Sequence, residues 1–220
     1  MKKYILLLAA GKGNRFNTKT PKQFVVVKGK PLLLHTFEAF LRWEHSAKFI
    51  LVLSKPMVEQ WHQICSSYKF KTNHQIVIGG STRFQSVKNG LEHIPKEALV
   101  AIHDGVRPLL SKRLIKEGFS LAEKNGSAIP VIKISDSVRE IKEDASKPVS
   151  RQNLRLVQTP QFFKSTLIKQ AYQNATSDNF TDDASVLQQA GSIPFIFEGD
   201  PKNIKVTRPE DIEVIKIFLK

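Results

Sequence analysis

The fold begins with residues 4–16, Tyr4-Ile5-Leu6-Leu7-Leu8-Ala9-Ala10-Gly11-Lys12-Gly13-Asn14-Arg15-Phe16, an apolar run that leads directly into a glycine-rich loop. Positions 4–10 are apolar without interruption, which is typical of a strand buried on both faces. With Lys2 and Lys3 before it, the run also resembles a short signal peptide. The loop interrupts it early, however, and no later stretch reaches the ~18 apolar residues of a membrane span. We therefore predict a buried first strand and no membrane partner.

The loop after this strand has the composition of a phosphate-binding loop. Gly11 and Gly13 allow backbone N–H groups to approach a phosphate closely. The spacing fits neither a Walker A loop nor a dinucleotide fingerprint, which needs a small residue where Phe16 stands. Arg15 and Lys22 add two cations at the carboxyl end of the strand, where open α/β sheets bind their ligands. The combination predicts a site for a phosphorylated ligand.

Farther along the chain, apolar strands alternate with amphipathic helices. Ser81 or Thr82 is a suitable N-cap for one helix, and another begins after Ser111 and ends before Gly126. This alternation predicts an α/β fold with a doubly wound, mostly parallel sheet and helices on both faces, as a single domain over residues 1–220. The predicted strands are Tyr4–Ala9, Phe49–Leu53, Gln75–Ile78, Leu99–His103 and Ala128–Ile134, and the predicted helices include Pro31–Trp43, Pro56–Ser67, Phe84–Ile94 and Ser111–Asn125.

Residues 135–157 interrupt the alternation. Polar and apolar side chains alternate here on either side of a predicted turn at Glu143–Pro148, which is the pattern of a β-hairpin. Such an insertion either covers the sheet or projects and pairs with another subunit. Because a two-stranded ribbon is only marginally stable and needs a surface to pack against, we predict a projecting arm that forms a homodimer.

The chain is strongly basic. Its 220 residues include 34 Lys and Arg against 20 Asp and Glu, for a formal net charge of +14, and its first fifty residues hold only Glu38 and Glu44 as acids. A basic surface suits a nucleic acid, an anionic membrane or a phosphorylated small molecule, and composition does not choose among them. Cys65 is the single cysteine, which excludes an intrachain disulfide framework and indicates a reducing, cytoplasmic location.

Several further motifs accompany the glycine loop. They are Pro21-Lys22, Gly79-Gly80-Ser81-Thr82-Arg83-Phe84-Gln85-Ser86-Val87, Val100-Ala101-Ile102-His103-Asp104-Gly105-Val106-Arg107-Pro108, Gln158-Thr159-Pro160-Gln161-Phe162-Phe163, Thr181-Asp182-Asp183-Ala184-Ser185 and Asn203-Ile204-Lys205-Val206-Thr207. In order and approximate spacing, they resemble the 2-C-methyl-D-erythritol 4-phosphate cytidylyltransferase family over nearly the whole chain. The resemblance implies a Rossmann-like nucleotidyltransferase fold, a homodimer and a place in the non-mevalonate isoprenoid pathway.

The resemblance also implies a reaction and a set of site residues. A polyol phosphate attacks the α-phosphorus of CTP, with Mg²⁺ on the phosphates and Asp104 as the candidate metal ligand. The family's catalytic positions correspond to Arg15 and Lys22. Its CTP contacts correspond to Ala9, Ala10, Gly11, Gly13, Gly80, Ser81, Arg83, Ser86 and Asp104. Its contacts with the alcohol correspond to Asp104, Arg107, Lys205 and Thr181 and, from the arm across the dimer interface, to Ser137 and Arg151.

Other functions fit parts of the pattern. A ribitol-5-phosphate cytidylyltransferase shares the glycine loop and the reaction, and it stays open as an alternative. A basic nucleic-acid-binding protein is the alternative from another class; it needs a cationic stripe with stacking aromatics, whereas this chain has three Tyr and two Trp. His103-Asp104 also resembles a metal-dependent phosphohydrolase motif, but the other spaced His and Asp ligands are missing from the sequence.

Overall fold

The strand predicted at the start of the chain is buried over its apolar centre, residues 4–7. The computed structural model describes residues 1–11, 16, 20–143 and 145–219, so Gly13 and Arg15 of the predicted site lie outside the described residues. Strand β1 (Lys2–Leu8) pairs in parallel with β4 (Lys48–Leu53) on one side and with β6 (Ala98–Asp104) on the other. This central position explains why the run is continuously apolar.

Side chains of β1 alternate between two helical layers. Ile5 and Leu7 pack into one core, whereas Tyr4 and Leu6 pack into a second core on the opposite face of the sheet. The first layer contains α1 (Leu32–Trp43), α2 (Met57–Ser67) and α4 (Lys112–Asn125), and the second contains α3 (Arg83–Glu92), α5 (Ser165–Asn174) and α6 (Asp183–Gln189). Among the described residues, no helix is long and apolar enough to cross a membrane.

The sheet is mixed but mostly parallel, as predicted. Strand β5 (His74–Ile78) extends it in parallel beyond β4, and β11 (Gln161–Lys164) runs antiparallel between β6 and β7 (Ser127–Lys133). Strand β7 also pairs with β10 (Arg155–Val157), which is antiparallel to it, and with β12 (Ile196–Glu198), which is parallel. After a 3₁₀ turn at Lys22–Phe24, the short strands β2 (Val26–Val27) and β3 (Lys30–Pro31) form a separate ladder.

Helix ends follow the capping chemistry of the sequence. Of the two candidate caps for α3, the structure uses Thr82, whose side chain accepts a hydrogen bond from the Gln85 N–H. Ser111 caps α4 in the same way, and Gly126 ends that helix with a φ of +89°, a left-handed conformation that favours glycine. The last helix, α7 (Glu210–Phe218), packs against Val27, Leu32, Val106 and Val206 in a third apolar cluster.

The predicted hairpin is present within residues 135–157, but its turn is shorter than expected. Strands β8 (Val138–Lys142) and β9 (Ala145–Val149) pair antiparallel, with Lys142 opposite Ala145. Pro148, which we placed in the turn, lies in β9 opposite Arg139; a two-stranded ribbon consists of edge strands, where a missing N–H is tolerated. Among the described strands, β8 and β9 pair only with each other. Projection towards a second subunit stays a prediction.

Candidate active site

A cavity of about 720 Å³ lies at the carboxyl ends of four parallel strands, β1, β4, β5 and β6. This is the edge at which open α/β sheets bind ligands, because the strand-to-helix loops converge there. The lining residues are Leu8, Ala9, Ala10, Gly11, Lys22, Gln23, Ser54, Gly80, Ser81, Thr82, Arg83, Ser86, Asp104, Val106, Lys205 and Thr207. The cavity thus brings together all eight of the described residues predicted to bind CTP.

Gln23 holds the backbone of the loop after β1 by a side-chain hydrogen bond. It is almost completely buried, and its amide donates to the carbonyl oxygen of Ala9 at 2.7 Å, while the Ala9 N–H donates to the carbonyl of Val52 at 2.9 Å. The backbone after β1 is therefore held from two directions just before Gly11, which is exposed in the cavity. Sequence reasoning missed Gln23, although its position directly after Pro21-Lys22 was a usable signal.

Lys22 extends from the 3₁₀ turn to the cavity wall. Its Nζ donates to the carbonyl oxygen of Val206 at 3.2 Å, a contact between groups 184 positions apart in the chain. Val206 in turn follows Lys205, which also lines the cavity. Two predicted phosphate-binding lysines therefore reach one site from opposite ends of the sequence.

The loop between β5 and α3 forms a wall of small residues. The Gly80 N–H donates to Ser86 Oγ at 3.2 Å, and Ser86 Oγ donates to the carbonyl oxygen of Thr82 at 2.9 Å. Ser81, which does not cap the helix, is exposed in the cavity. A Cβ on Gly79 would lie 2.7 Å from the Cβ of Ala10, so glycine is needed where this loop meets the loop after β1.

Arg83 reaches the same wall as part of a buried ion pair. Its Nη1 and Nη2 donate to the two carboxylate oxygens of Asp183, both at 2.7 Å, and the Tyr172 hydroxyl donates to Asp183 Oδ1 at 2.6 Å. Burial alone would lower the pKa of Arg83, but the adjacent Asp183 carboxylate outweighs burial and raises that pKa above its usual value. The guanidinium is therefore a permanent cation of fixed orientation.

Asp104, at the end of β6, forms ion pairs with two of the predicted cations. Its Oδ2 lies 3.0 Å from Lys205 Nζ and 3.3 Å from Arg107 Nε. Burial would raise the pKa of this carboxyl group, but the surrounding cations, Lys205 first among them, hold it well below its usual range. Asp104 is ionised at neutral pH and fixes the Lys205 ammonium beside the cavity.

His103 supports this arrangement from the core and is not placed to bind a metal. The ring is fully buried, and its Nε2 lies 3.0 Å from the carbonyl oxygen of Arg107, which requires an N–H at that nitrogen. Nδ1 is then the acceptor for the hydroxyl of Thr159 at 3.0 Å, and Thr159 Oγ1 accepts from the Asp104 N–H at 3.1 Å. Burial lowers the pKa of His103 to about 3, so the ring is neutral.

Arg107 lies next to the cavity but does not line it. Its Nη1 donates to the carbonyl oxygen of Asn203 at 2.8 Å, in addition to the contact with Asp104. Because Asn203 also donates from its side chain to the carbonyl of Thr159, the loop that carries Lys205 is tied to the end of β6. Thr159 and Asn203 both lie in motifs of the sequence, but sequence reasoning gave neither of them a role, because their contacts at the end of β6 join distant parts of the chain.

Three predicted substrate contacts stay apart from the cavity. Ser137, Arg151 and Thr181 are exposed, and none of them lines it. Arg151 donates a hydrogen bond to the carbonyl oxygen of Ser135, within its own arm. One described chain therefore assembles the predicted nucleotide side of the site, but not the contacts predicted for the arm.

The donor set at the cavity suits a magnesium ion bound mainly through phosphates. Asp104 is the single acidic side chain among the described lining residues, and no three His, Cys, Asp or Glu side chains cluster in the part of the chain that the structure describes. Both ion pairs of Asp104 use Oδ2. Mg²⁺ is usually held by one or two carboxylates together with substrate phosphates and water, so one available carboxylate oxygen fits such an ion.

Comparison with known protein sequences gives a consistent result. A family model described as 2-C-methyl-D-erythritol 4-phosphate cytidylyltransferase matches residues 4–220. A protein of that name from Azobacteroides pseudotrichonymphae is 45% identical over 219 residues, covering 99% of this chain and 98% of its own length. Another from Bacteroides thetaiotaomicron is 42% identical over 214 residues, covering 97% and 98%.

Solved structures agree with the sequence comparisons. The 2-C-methyl-D-erythritol 4-phosphate cytidylyltransferase of Francisella tularensis superimposes with a TM-score of 0.81 at 28% identity, over the full length of both chains. The 4-diphosphocytidyl-2C-methyl-D-erythritol synthase of Anaerococcus prevotii gives a TM-score of 0.83 at 28% identity, covering 99% of this chain and 95% of its own. With its full-length family match and a cavity lined by Lys22, Arg83 and Lys205 at the expected sheet edge, the chain belongs to the 2-C-methyl-D-erythritol 4-phosphate cytidylyltransferase family.

Proposed function

We propose that this protein transfers CMP from CTP to 2-C-methyl-D-erythritol 4-phosphate, giving 4-diphosphocytidyl-2-C-methyl-D-erythritol and pyrophosphate in isoprenoid biosynthesis. One observation carries the proposal: the family match covers residues 4–220 and therefore includes every strand end that lines the cavity. Residues 1–220 act as one catalytic domain, with residues 135–157 as its dimerisation arm.

The reaction depends on alignment and charge neutralisation. A phosphate oxygen of the alcohol forms a bond to the α-phosphorus of CTP, and the bond from that phosphorus to pyrophosphate breaks. The nucleophile is already an anion near neutral pH, so no general base is needed. We assign stabilisation of the charge on the α-phosphate to Lys22, which lines the cavity, and to Arg15.

The nucleotide occupies the glycine-loop side of the cavity. Backbone groups of residues 9–11 contact the triphosphate, together with Gly13. Gly80, Ser81 and Ser86 form a small polar wall for the cytosine and ribose, and Arg83 is the adjacent cation. A wall of this size excludes a purine, and donors and acceptors matched to the cytosine amino group are left unpaired by UTP.

The alcohol phosphate occupies the opposite side. Lys205 is held at the cavity by Asp104, and it presents a cation to the incoming phosphate. Arg107 has three of its five N–H donors outside its contacts with Asp104 and Asn203, and we assign these to the same phosphate. Thr181 contributes from the segment before α6. Asp104 would hold Mg²⁺ together with the CTP phosphates, and the ion would supply further charge neutralisation.

The homodimer completes the site through the arm. Ser137 and Arg151 are exposed in one chain, and in this proposal they reach the neighbouring subunit's cavity. Exposed apolar side chains near the base of the arm support an interface there: Leu156 is 51% exposed, Val157 44% and Ile196 59%. The single Cys65 supports a reducing, cytoplasmic location.

A pyrophosphate-release assay tests the function. The protein is incubated with Mg²⁺ and CTP, UTP or ATP, together with 2-C-methyl-D-erythritol 4-phosphate or ribitol 5-phosphate. We expect pyrophosphate release with CTP and 2-C-methyl-D-erythritol 4-phosphate. When both alcohols compete at equal concentration, we expect a clear preference for the methylerythritol phosphate. Mass analysis of the CDP products gives the ratio of kcat/KM. If CDP-ribitol dominates, the pathway assignment is wrong while the phosphate chemistry survives.

A further inference from the structure

Asp183 is a buried charge that the proposed mechanism does not use. Its side chain is completely inaccessible to solvent, and it opens α6, one residue after the cap Asp182. Oδ1 accepts from Arg83 Nη1 and from the Tyr172 hydroxyl, and Oδ2 accepts from Arg83 Nη2. The Gln161 side chain accepts from the Asp183 N–H at 3.0 Å, so the backbone of Asp183 is also fixed.

The two ends of this ion pair differ in their exposure. The Arg83 side chain is 26% exposed and lines the cavity, whereas its carboxylate partner lies behind it in the core. A guanidinium has five N–H donors, and Asp183 takes two of them. The three donors that remain belong to a group whose plane is fixed by a bidentate contact, which restricts the directions in which they point.

Stability alone gives a poor account of such a pair. A buried ion pair contributes little beyond an apolar pair of the same shape, because desolvation offsets the attraction. A role in orienting Arg83, which faces the cavity, explains the buried pair better. We propose that Asp183, together with Tyr172, is a positioning residue for CTP: it holds Arg83 so that the remaining N–H groups meet an acceptor of the nucleotide. This inference rests on the proposed function and extends it to two residues behind the cavity.

The test is Asp183→Asn, which keeps the shape of the side chain, removes its charge and turns an N–H towards Arg83. We expect the Kd for CTP, measured by calorimetry without the alcohol, and the KM for CTP each to rise about tenfold, the loss of roughly one charge-assisted hydrogen bond. The kcat should stay within about twofold, because the contact is equally present in ground and transition states. Tyr172→Phe, which removes one hydroxyl, should shift both values in the same direction by less.

Glu44→Gln is the matched control. Like Asp183, Glu44 is a buried carboxylate in ion pairs, here with Lys3 and Lys116. It lies at the C-terminal end of α1 and does not line the cavity. The Glu44→Gln protein should be less stable than wild type and should bind CTP with an unchanged Kd. An unchanged Kd in a folded Asp183→Asn protein, or an equal rise in Glu44→Gln, overturns the inference. If wild type binds CTP but releases no pyrophosphate, the proposed function fails while the positioning role is still measured by binding; if Asp183→Asn does not fold, Tyr172→Phe decides.

Discussion

Individual cations of the site are held by partners that the sequence does not place next to them. Lys205 is paired with Asp104, Arg83 with Asp183, and Lys22 donates to the backbone of Val206. Such contacts fix the direction of long side chains before any ligand binds. Fixed charges stabilise a transition state more effectively than mobile ones, because no reorganisation is needed during the reaction.

Lys22→Ala tests the catalytic assignment. We expect kcat to fall ~10²–10³-fold, because the ammonium acts on charge that develops at the α-phosphate. The free energy of unfolding should fall by only about 1–2 kcal/mol, because Lys22 lies at the cavity wall and its hydrogen bond to Val206 is only partly buried. Steady-state kinetics and urea denaturation measure the two effects.

Arg15→Ala should behave in the same way, and Lys48→Ala, an exposed lysine at the start of β4, is the control expected to match wild type. Wild-type kcat in the Lys22 or Arg15 variant would remove that residue from the mechanism.

His103 makes stability depend on pH. Its pKa is lowered by burial to about 3, whereas an unfolded histidine titrates near 6.5. Below pH 6.5 the unfolded chain therefore binds a proton at this position that the folded chain does not, so stability falls as pH falls. Between pH 7.5 and 5.5 we expect a loss of about 1.4 kcal/mol from this group.

Urea denaturation of wild type and His103→Gln at both pH values isolates this contribution, because His74, whose pKa is also lowered by burial, titrates in both proteins. The variant should show a smaller drop between the two pH values. An equal drop in the two proteins would show that His103 is not responsible.

At the scale of elements, two loops meet at the cavity that we propose binds CTP. The loop after β1 and the loop after β5 approach so closely that a Cβ on Gly79 would lie 2.7 Å from Ala10 Cβ and 2.9 Å from Ser86 Oγ. In contrast, no atom of the described residues lies within 4 Å of a Cβ built on Gly11. One glycine is needed for packing, and the other leaves space for a ligand.

Gly11→Ala should therefore separate binding from folding. We expect the KM for CTP to rise about tenfold or more, because the new methyl group occupies the space through which a phosphate reaches the backbone. The free energy of unfolding should stay the same or rise by up to about 1 kcal/mol. Gly79→Ala is the contrasting variant and should lose about 1–3 kcal/mol through steric conflict. Thermal melts and CTP kinetics on both variants check this; a normal KM in Gly11→Ala would place the triphosphate elsewhere.

At the scale of the whole molecule, the arm decides whether one chain is a complete enzyme. Lys22 and Lys205 line the cavity of the chain that carries them, whereas Arg151 of the same chain does not. In a twofold-symmetric dimer with exchanged arms, each site contains the arm of the other subunit. Subunit mixing can therefore distinguish residues that act within a chain from those that act across the interface.

Mixing inactive Lys22→Ala chains with inactive Arg151→Ala chains should restore activity, to about a quarter of the wild-type value for statistical exchange, since one site of each heterodimer carries both native residues. Mixing Lys22→Ala with Lys205→Ala is the control and should restore none, because both residues belong to the same chain's cavity. Light scattering and proof of subunit exchange accompany the assay. No recovery despite exchange, or a monomer in solution, contradicts the shared site.

Local sequence determined the elements and one edge of the sheet. The uninterrupted apolar run of β1 predicted a buried strand, Ser111 and Gly126 predicted the ends of α4, and the glycine loop predicted a candidate site at the sheet edge where Gly11 lines the cavity. Each of these features depends on neighbours within a few residues, so spacing and residue type are sufficient to identify it. The hairpin was predictable for the same reason, but the predicted turn extends too far along the chain, because it includes Pro148, which lies in β9.

Tertiary structure alone decided which distant groups share the site. Asp183 contacts Arg83 across 100 positions, and Thr159 supports Asp104 across 55. Both residues lie in motifs of the sequence, but no local pattern shows which residue each of them contacts. Thr82 rather than Ser81 caps α3, because both have a suitable side chain and only the backbone path selects between them. Burial, which lowers the pKa of His103, likewise arises from packing and not from spacing. The sequence determined the chemistry available at the carboxyl edge of the sheet, and the fold determined how its charges are paired and aimed.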